Sequence, residues 1–199
     1  MEYWGISDTG KVRAQNQDAF RIEELDRHTV LAVVCDGMGG AKSGNIASTL
    51  AVDVFVQEVR RCWKPSMDRE KTDQMLLSAA KLANFTVFDQ AQQFMEFDGM
   101  GTTLVAAMVL EEQAWILNVG DSRAYHISEK DGIRRITRDH SVVEDMVERG
   151  EISPEEAKQR HFRRSLFAGR DISAGEPFTE ENVRCVRPSV GLQPSRYWD

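Results

Sequence analysis

The sequence predicts an α+β fold: a layered domain of antiparallel sheets flanked by helices. Three observations carry that reading. Apolar, β-branched runs of strand length cluster at residues 20–35 and again at 104–137. Between them lie two longer stretches, about 45–56 and 68–97, whose apolar residues recur at helical spacing. Strands, then helices, then strands suit a layered antiparallel architecture better than alternating βαβ units. A nucleotide-binding fold is not indicated, because Gly37-Met38-Gly39-Gly40 has neither Walker-loop nor dinucleotide-fingerprint spacing.

Composition narrows the function classes. A chain of 199 residues fits one domain with, at most, a small appendage, and can bury a sizeable core. The formal net charge of −7, with no polybasic run, argues against nucleic acid as partner. Three well-separated cysteines, Cys35, Cys62 and Cys185, lack metal-ligand spacing and fit a reducing compartment. The start, Met1-Glu2-Tyr3-Trp4-Gly5, has neither the basic nor the apolar region of a secretion signal. The apolar runs are strand-sized, so no membrane span is expected, and the expected location is cytoplasmic.

Residues 3–8 read as a short strand, closed by the turn Asp8-Thr9-Gly10. Arg13 and Asp18 follow on a loop between strand-like segments. A guanidinium fork there fits two phosphate oxygens, and a nearby acid can hold a cation on the same group. Residues 20–25 and 29–35 form a predicted strand pair, with His28 in the turn. The second strand delivers Asp36 at its exit, followed by Gly37-Met38-Gly39-Gly40. A carboxylate at a strand end followed by accessible backbone, including the Gly37 carbonyl, suits a hard cation.

Helical spacing over 45–56 predicts one helix, and a stripe through Leu76, Ala79, Ala80, Ala83 and Val87 predicts a longer one over about 68–97. Met75, Phe88, Phe94 and Met95 are expected to pack in the core. Gly101-Thr102-Thr103 breaks that helix and opens a strand at 104–110. A strand over 114–119 ends at Gly120-Asp121, a second acid beside a glycine at a strand end. Residues 122–128 and 133–137 form a predicted hairpin across Asp131-Gly132. An amphipathic helix through Val142, Val143, Met146 and Val147 closes at Gly150. Ser153-Pro154-Glu155-Glu156 is a capping box that starts another helix.

Five motifs in order carry a family resemblance. They are Ser7–Arg13 with Asn16-Gln17-Asp18; Val34–Gly40; Gly101–Leu104; Val119–Tyr125; and Thr137–Ser141. Through them, residues 1–159 resemble a bacterial metal-dependent Ser/Thr protein phosphatase of the PP2C (PPM) family. The resemblance implies part of an αββα sandwich of two antiparallel sheets, with a binuclear Mn²⁺ or Mg²⁺ centre at one end. It implies that Asp36 bridges the metals, the Gly37 carbonyl ligates one, and Asp18 holds metal-bound water. Arg13 would clamp the substrate phosphate, and Asp121 would serve a weaker third site. Met38 stands where some relatives carry a candidate proton-donor histidine.

The family pattern continues with two further metal aspartates, in Ser-Asp-Gly and Asp-Asn motifs. Neither motif occurs after residue 160, where Asp171 and Asp199 are the only aspartates. Residues 162–199, from Arg163-Arg164-Ser165 through Arg187-Pro188, instead resemble the start of the SAF (antifreeze-like) domain of sialic-acid synthases. The arginine matching Arg187 reaches a partner subunit's sugar site there, a role that does not transfer without the synthase barrel. The expected organisation is a phosphatase-like domain at 1–160 lacking its C-terminal part, joined at 161–199 to a partial SAF-like segment, with the join read as a chimera.

The function these readings imply is metal-dependent hydrolysis of phosphoserine and phosphothreonine in proteins, weak or lost in this chain because two metal aspartates are missing. The expected partners are phosphoproteins, targets of a Ser/Thr kinase, and further copies of the chain in a homo-oligomer. The alternatives are a non-catalytic phosphatase-like binding module and a chimeric structural chain.

Overall fold

Apolar alternation at 29–38 and its polar-edged partner at 18–26 pair as expected in a computed structural model, which describes residues 1–11, 13–160, 165–168 and 183–186. Strand β1 (Asp18–Asp26) runs antiparallel to β2 (Thr29–Met38) around a turn at Arg27-His28. Asp26 fastens this hairpin: its carboxylate accepts from Thr29 Oγ1 (3.0 Å), the His28 N–H (2.9 Å) and Trp63 Nε1 (2.9 Å).

Helix α1 (Gly40–Cys62) begins at the glycine turn itself, several residues earlier than the hydrophobic spacing predicts. Helix α2 (Arg69–Gln93) is capped by Asp68, whose side chain accepts from the Lys71 N–H. It ends short of residue 97: Phe94 is extended, and Met95–Phe97 form one turn of 3-10 helix. The short strand β3 (Gly101–Thr102) pairs with the end of β2, and β4 (Leu104–Leu110) and β5 (Gln113–Val119) complete a five-stranded sheet in the order β1-β2-β4-β5.

The core lies between one face of this sheet and the two long helices. Leu31, Val33, Cys35, Ala106 and Met108 from the strands meet Ala47, Ala51, Phe55, Val59, Leu76, Ala79 and Ala83 from the helices. Burial pushes the Cys35 thiol up to about 12, so it packs as a small apolar group. Met75 is buried as expected, but Phe88, Phe94 and Met95 are not: they are 60%, 45% and 97% exposed. The helical stripe is narrower than the sequence suggests. Residues 75, 76, 79, 83 and 87 already fill the face toward the sheet, and Phe88 turns past its edge.

Residues 3–8 form no strand. They run beside β1, with Gly5 against the Phe20 ring and the Tyr3 hydroxyl donating to Glu24. A segment without a ladder partner is not a strand, whatever its propensity. The hairpin β6 (Tyr125–Ser128) and β7 (Gly132–Arg135) forms as predicted, shorter at both ends.

By internal contacts the chain divides into Met1–His140 and Ser141–Asp199. In the second unit, α3 (Val142–Glu148) is capped by Ser141 and is followed by Gly150 at φ +70°. Helix α4 (Pro154–Arg160) carries the expected capping box: the Glu156 N–H donates to Ser153 Oγ (3.2 Å), and the Ser153 N–H to Glu156 Oε2 (2.8 Å). Strands β8 (Ser165–Ala168) and β9 (Val183–Val186) pair antiparallel. Asp171 and Asp199, the only aspartates after residue 160, and Arg187 of the SAF-like segment lie outside the described residues. Among the described residues no helix is long and apolar enough to cross a membrane.

Candidate active site

The register of the first hairpin builds the site. Asp18 is the first residue of β1 and stands directly opposite Asp36 on β2. It is therefore a strand residue rather than the loop residue expected. The Asn16 side chain accepts the Asp18 N–H at 3.0 Å, and this local turn feeds the chain straight into the ladder. Paired positions share a sheet face with side chains about 5 Å apart, so the two carboxylates confront each other.

The backbone around Asp36 is clamped on both sides. Its N–H donates to Thr103 Oγ1 (2.9 Å), and its carbonyl accepts from the Thr103 N–H (3.0 Å) and lies 3.0 Å from Thr102 Oγ1. Thr103 Oγ1 also meets Ser122 Oγ at 2.7 Å, tying this clamp to the loop that carries Asp121. Gly37 donates its N–H to the Gln17 carbonyl at 3.1 Å. A Cβ on Gly37 would sit 1.9 Å from the Gly44 carbonyl oxygen, so only glycine fits where α1 crosses behind the acids.

The Asp121 loop has its own anchors. Gly120 takes φ +101°, and a Cβ there would meet Thr103 Cγ2 at 2.7 Å. Its carbonyl accepts from the His140 N–H (2.9 Å), and its N–H donates to His140 Nδ1 (3.3 Å). Fully buried Asp139 accepts from Arg123 Nη2 (2.6 Å) and Nε (3.0 Å), with Arg135 Nη1 at 3.4 Å. The Thr137–Ser141 motif therefore braces the Asp121 loop rather than supplying a group to the cleft.

Arg13, Asp36, Gly37, Met38, Thr103 and Asp121 line one open cleft of about 590 Å³. Asp18 lies at its edge and lines a neighbouring cavity with residues 4–8. Desolvation holds the Asp36 carboxyl above its ordinary value; the Asp18 charge, a hydrogen bond with Asp18 and the Asp121 charge raise it further, while Arg13 opposes them. The cleft thus concentrates uncompensated negative charge next to one guanidinium. Among the described residues, no three His, Cys, Asp or Glu side chains converge closely enough to form a metal cage. The donors present, two facing carboxylates and nearby backbone oxygen, fit a small hard divalent cation, which commonly keeps several waters and takes one or two carboxylates.

Sequence reasoning singled out Arg13, Asp36, Gly37 and Asp121, and all four line this cleft. It missed the work done by Thr102, Thr103 and the Arg123–Asp139 pair. Their only trace in the sequence was membership of the ordered motifs.

An acid pair at a sheet end, an arginine in the same cleft and this αβ framework are the arrangement of a phosphatase-type domain. The chain belongs to the protein phosphatase 2C family, whose model matches residues 10–161. A SAF domain model matches residues 163–199. The chain is 35% identical over 164 residues to the serine/threonine phosphatase stp of Listeria innocua, an alignment covering 81% of this chain and 63% of that protein. The crystal structure of serine/threonine phosphatase Stp1 from Staphylococcus aureus matches with TM-score 0.68 at 40% identity, over 76% of this chain and 58% of that one. The S. agalactiae serine/threonine phosphatase matches with TM-score 0.70 at 28% identity, over 78% and 63%. The chain thus spans about 63% of the length of the Listeria relative.

Proposed function

We propose that this chain carries the phosphate- and metal-binding half of a Ser/Thr protein phosphatase site, and that the 199-residue polypeptide turns over phosphoserine and phosphothreonine proteins weakly. The observation that carries the reading is the register pair Asp18–Asp36 sharing one site with Arg13 and Asp121. In this reading Asp18, Asp36 and the Gly37 carbonyl hold Mn²⁺ or Mg²⁺, and Asp121 holds a further, weaker ion. Such ions supply positive charge against the phosphoryl oxygens and activate water for in-line attack. Arg13 binds two phosphate oxygens and orients the phosphorus toward the acids. Thr102 and Thr103 keep Asp36 from moving when charge arrives.

The same reading makes the β6–β7 hairpin a part of the second sheet of an αββα sandwich. It sets the junction of the phosphatase-like and SAF-like segments at residues 160/161, as a chimeric join in a cytoplasmic protein. Weak turnover follows from the family pattern, in which two more aspartates complete the centre and residues 161–199 offer no matching motif.

The test is hydrolysis of p-nitrophenyl phosphate with Mn²⁺ or chelator, beside Asp36→Ala, with thermal melting of the same samples. The expected outcome is Mn²⁺-dependent turnover below about 1 s⁻¹, abolished in the variant, and a Mn²⁺-induced rise in Tm that the variant lacks. Absence of both turnover above the variant and any Mn²⁺ effect on Tm would overturn it.

A further inference from the structure

Next to the acidic cleft lies a second, smaller cavity of about 250 Å³, held between α1, α2 and the β3–β4 strands. Ala51, Ala83, Val87, Met100 and Leu104 form its buried walls. Its rim is apolar yet open to solvent: Met38 is 55% exposed, Phe88 60% and Val119 44%. Met38 lines both this cavity and the cleft that holds Arg13 and Asp36, so one side chain forms the wall between them. Val119 stands two residues before Asp121 in sequence, at the end of β5.

We propose that this cavity is a specificity pocket for the phosphoprotein substrate, and that it takes one large apolar side chain, an aromatic or leucine, close in sequence to the phosphorylated residue. The proposal rests on the phosphatase reading of the neighbouring cleft and names the substrate class for it. Size decides the occupant. Drug-sized ligands need about 300–1,000 Å³, whereas an apolar cavity of about 150 Å³ already holds benzene. The volume here suits a single phenyl or isobutyl group with some slack. Exposed apolar rims around a pocket mark recognition sites more often than idle surface. Asn84 and Thr102 are the polar side chains among the lining residues, and Asn84 is exposed, so its amide can meet a peptide backbone group.

The test uses fluorescence anisotropy with labelled peptides that carry a phosphonate mimic of phosphoserine, which is not hydrolysed, in buffer with Mn²⁺. One series places a single Phe at successive positions on either side of the mimic; the control carries Ala throughout, and each peptide has an unmodified Ser counterpart. The expected result is that one or two Phe positions tighten binding about tenfold over the Ala control. Ala80→Leu, which fills the cavity from α2, removes that preference while leaving the Ala peptide's affinity unchanged. Phe88→Ala, at the exposed rim and harmless to the core, reduces the preference even if the Leu variant folds poorly. Arg13→Ala weakens every phosphonate peptide alike. Equal affinity for all Phe and Ala phosphonate peptides, with Arg13 still required, overturns the pocket and leaves the cleft reading standing. Binding indifferent to both the phosphonate and Arg13 overturns the cleft reading, and the pocket's assignment with it.

Discussion

Two carboxylates set opposite each other on adjacent strands make a local conflict that the fold tolerates for the sake of the site. Asp36 feels desolvation first, then the charges of Asp18 and Asp121, and its folded-state pKa lies above the ordinary 3.8. A raised carboxyl pKa contributes stability that is fully present below the unfolded value and is lost as pH rises through the folded one. At neutral pH without metal, the ionised pair is therefore a net cost of about 0.2–1 kcal/mol, the scale of like charges across a ladder. In chelator at pH 7, Asp36→Asn is expected to raise Tm by about 1–3 °C, with the gain vanishing below pH 4. Adding Mn²⁺ should reverse the order, stabilising wild type and not the variant. Calorimetry over that pH range checks both, and a variant that melts lower than wild type in chelator would remove the conflict from the account. Thr103 makes a second, separable test. Thr103→Val keeps the shape but leaves the Asp36 N–H without its acceptor, so stability should fall by about 1–2 kcal/mol in urea denaturation.

At the scale of elements, the connections matter more than the strands themselves. The strand pair, the long helices, the β6–β7 hairpin and the Ser153 capping box were legible in the sequence because each follows from local chemistry: alternation, helical spacing or a cap. The helix start at Gly40, the exposure of Phe88, Phe94 and Met95, and the absence of a strand at 3–8 were not. Those depend on which neighbour is present, and hydrophobicity along one chain does not record neighbours. The same limit hid the brace behind Asp121. Asp139, wholly buried, is held by the Arg123 fork, whose side chain keeps about a third of its surface, 37%, in contact with water. Removing one partner of such a pair strands the other charge; Asp139→Ala should cost about 2–4 kcal/mol, the lower end reflecting Arg123's exposure. Arg123→Lys keeps the charge but loses the bidentate geometry, so it should fall between wild type and Asp139→Ala on the same urea series. Equal stability of all three would show that the brace does not hold the loop. The hairpin anchor behaves oppositely with pH. Burial pushes the Asp26 carboxyl up, but hydrogen bonds from Trp63, His28 and Thr29 outweigh it and hold it below its usual range. Its stabilisation is present above the unfolded pKa and lost as pH falls through the folded one, and Asp26→Asn should flatten that acid limb.

Across the five-stranded sheet as a whole, the two faces have unequal fates. One packs under α1 and α2. The other carries the rows Phe20–Val34–Val105–Asn118 and Ile22–Ala32–Ala107–Ile116, joined through the strand register, and the facing acids Asp18 and Asp36 stand in the row next to the first. Val105 is buried, but Phe20, Val34 and Ile116 remain 40%, 46% and 36% exposed. Residues 4–8 lie along part of this strip, and what they leave open is costly in water, at roughly 25 cal/mol for each Å² uncovered. We propose that a second copy of the chain, which offers the same strip, covers it by twofold pairing. The expected outcome in sedimentation velocity is reversible dimerisation as concentration rises. Ile116→Lys places a charge in the strip at a half-open position and should leave the melting of the dilute protein nearly unchanged while abolishing the dimer. Phe20→Ser, at the opposite end of the strip, should weaken it as well. A wild-type chain that stays monomeric throughout, or a dimer indifferent to both substitutions, would assign the strip to some other cover.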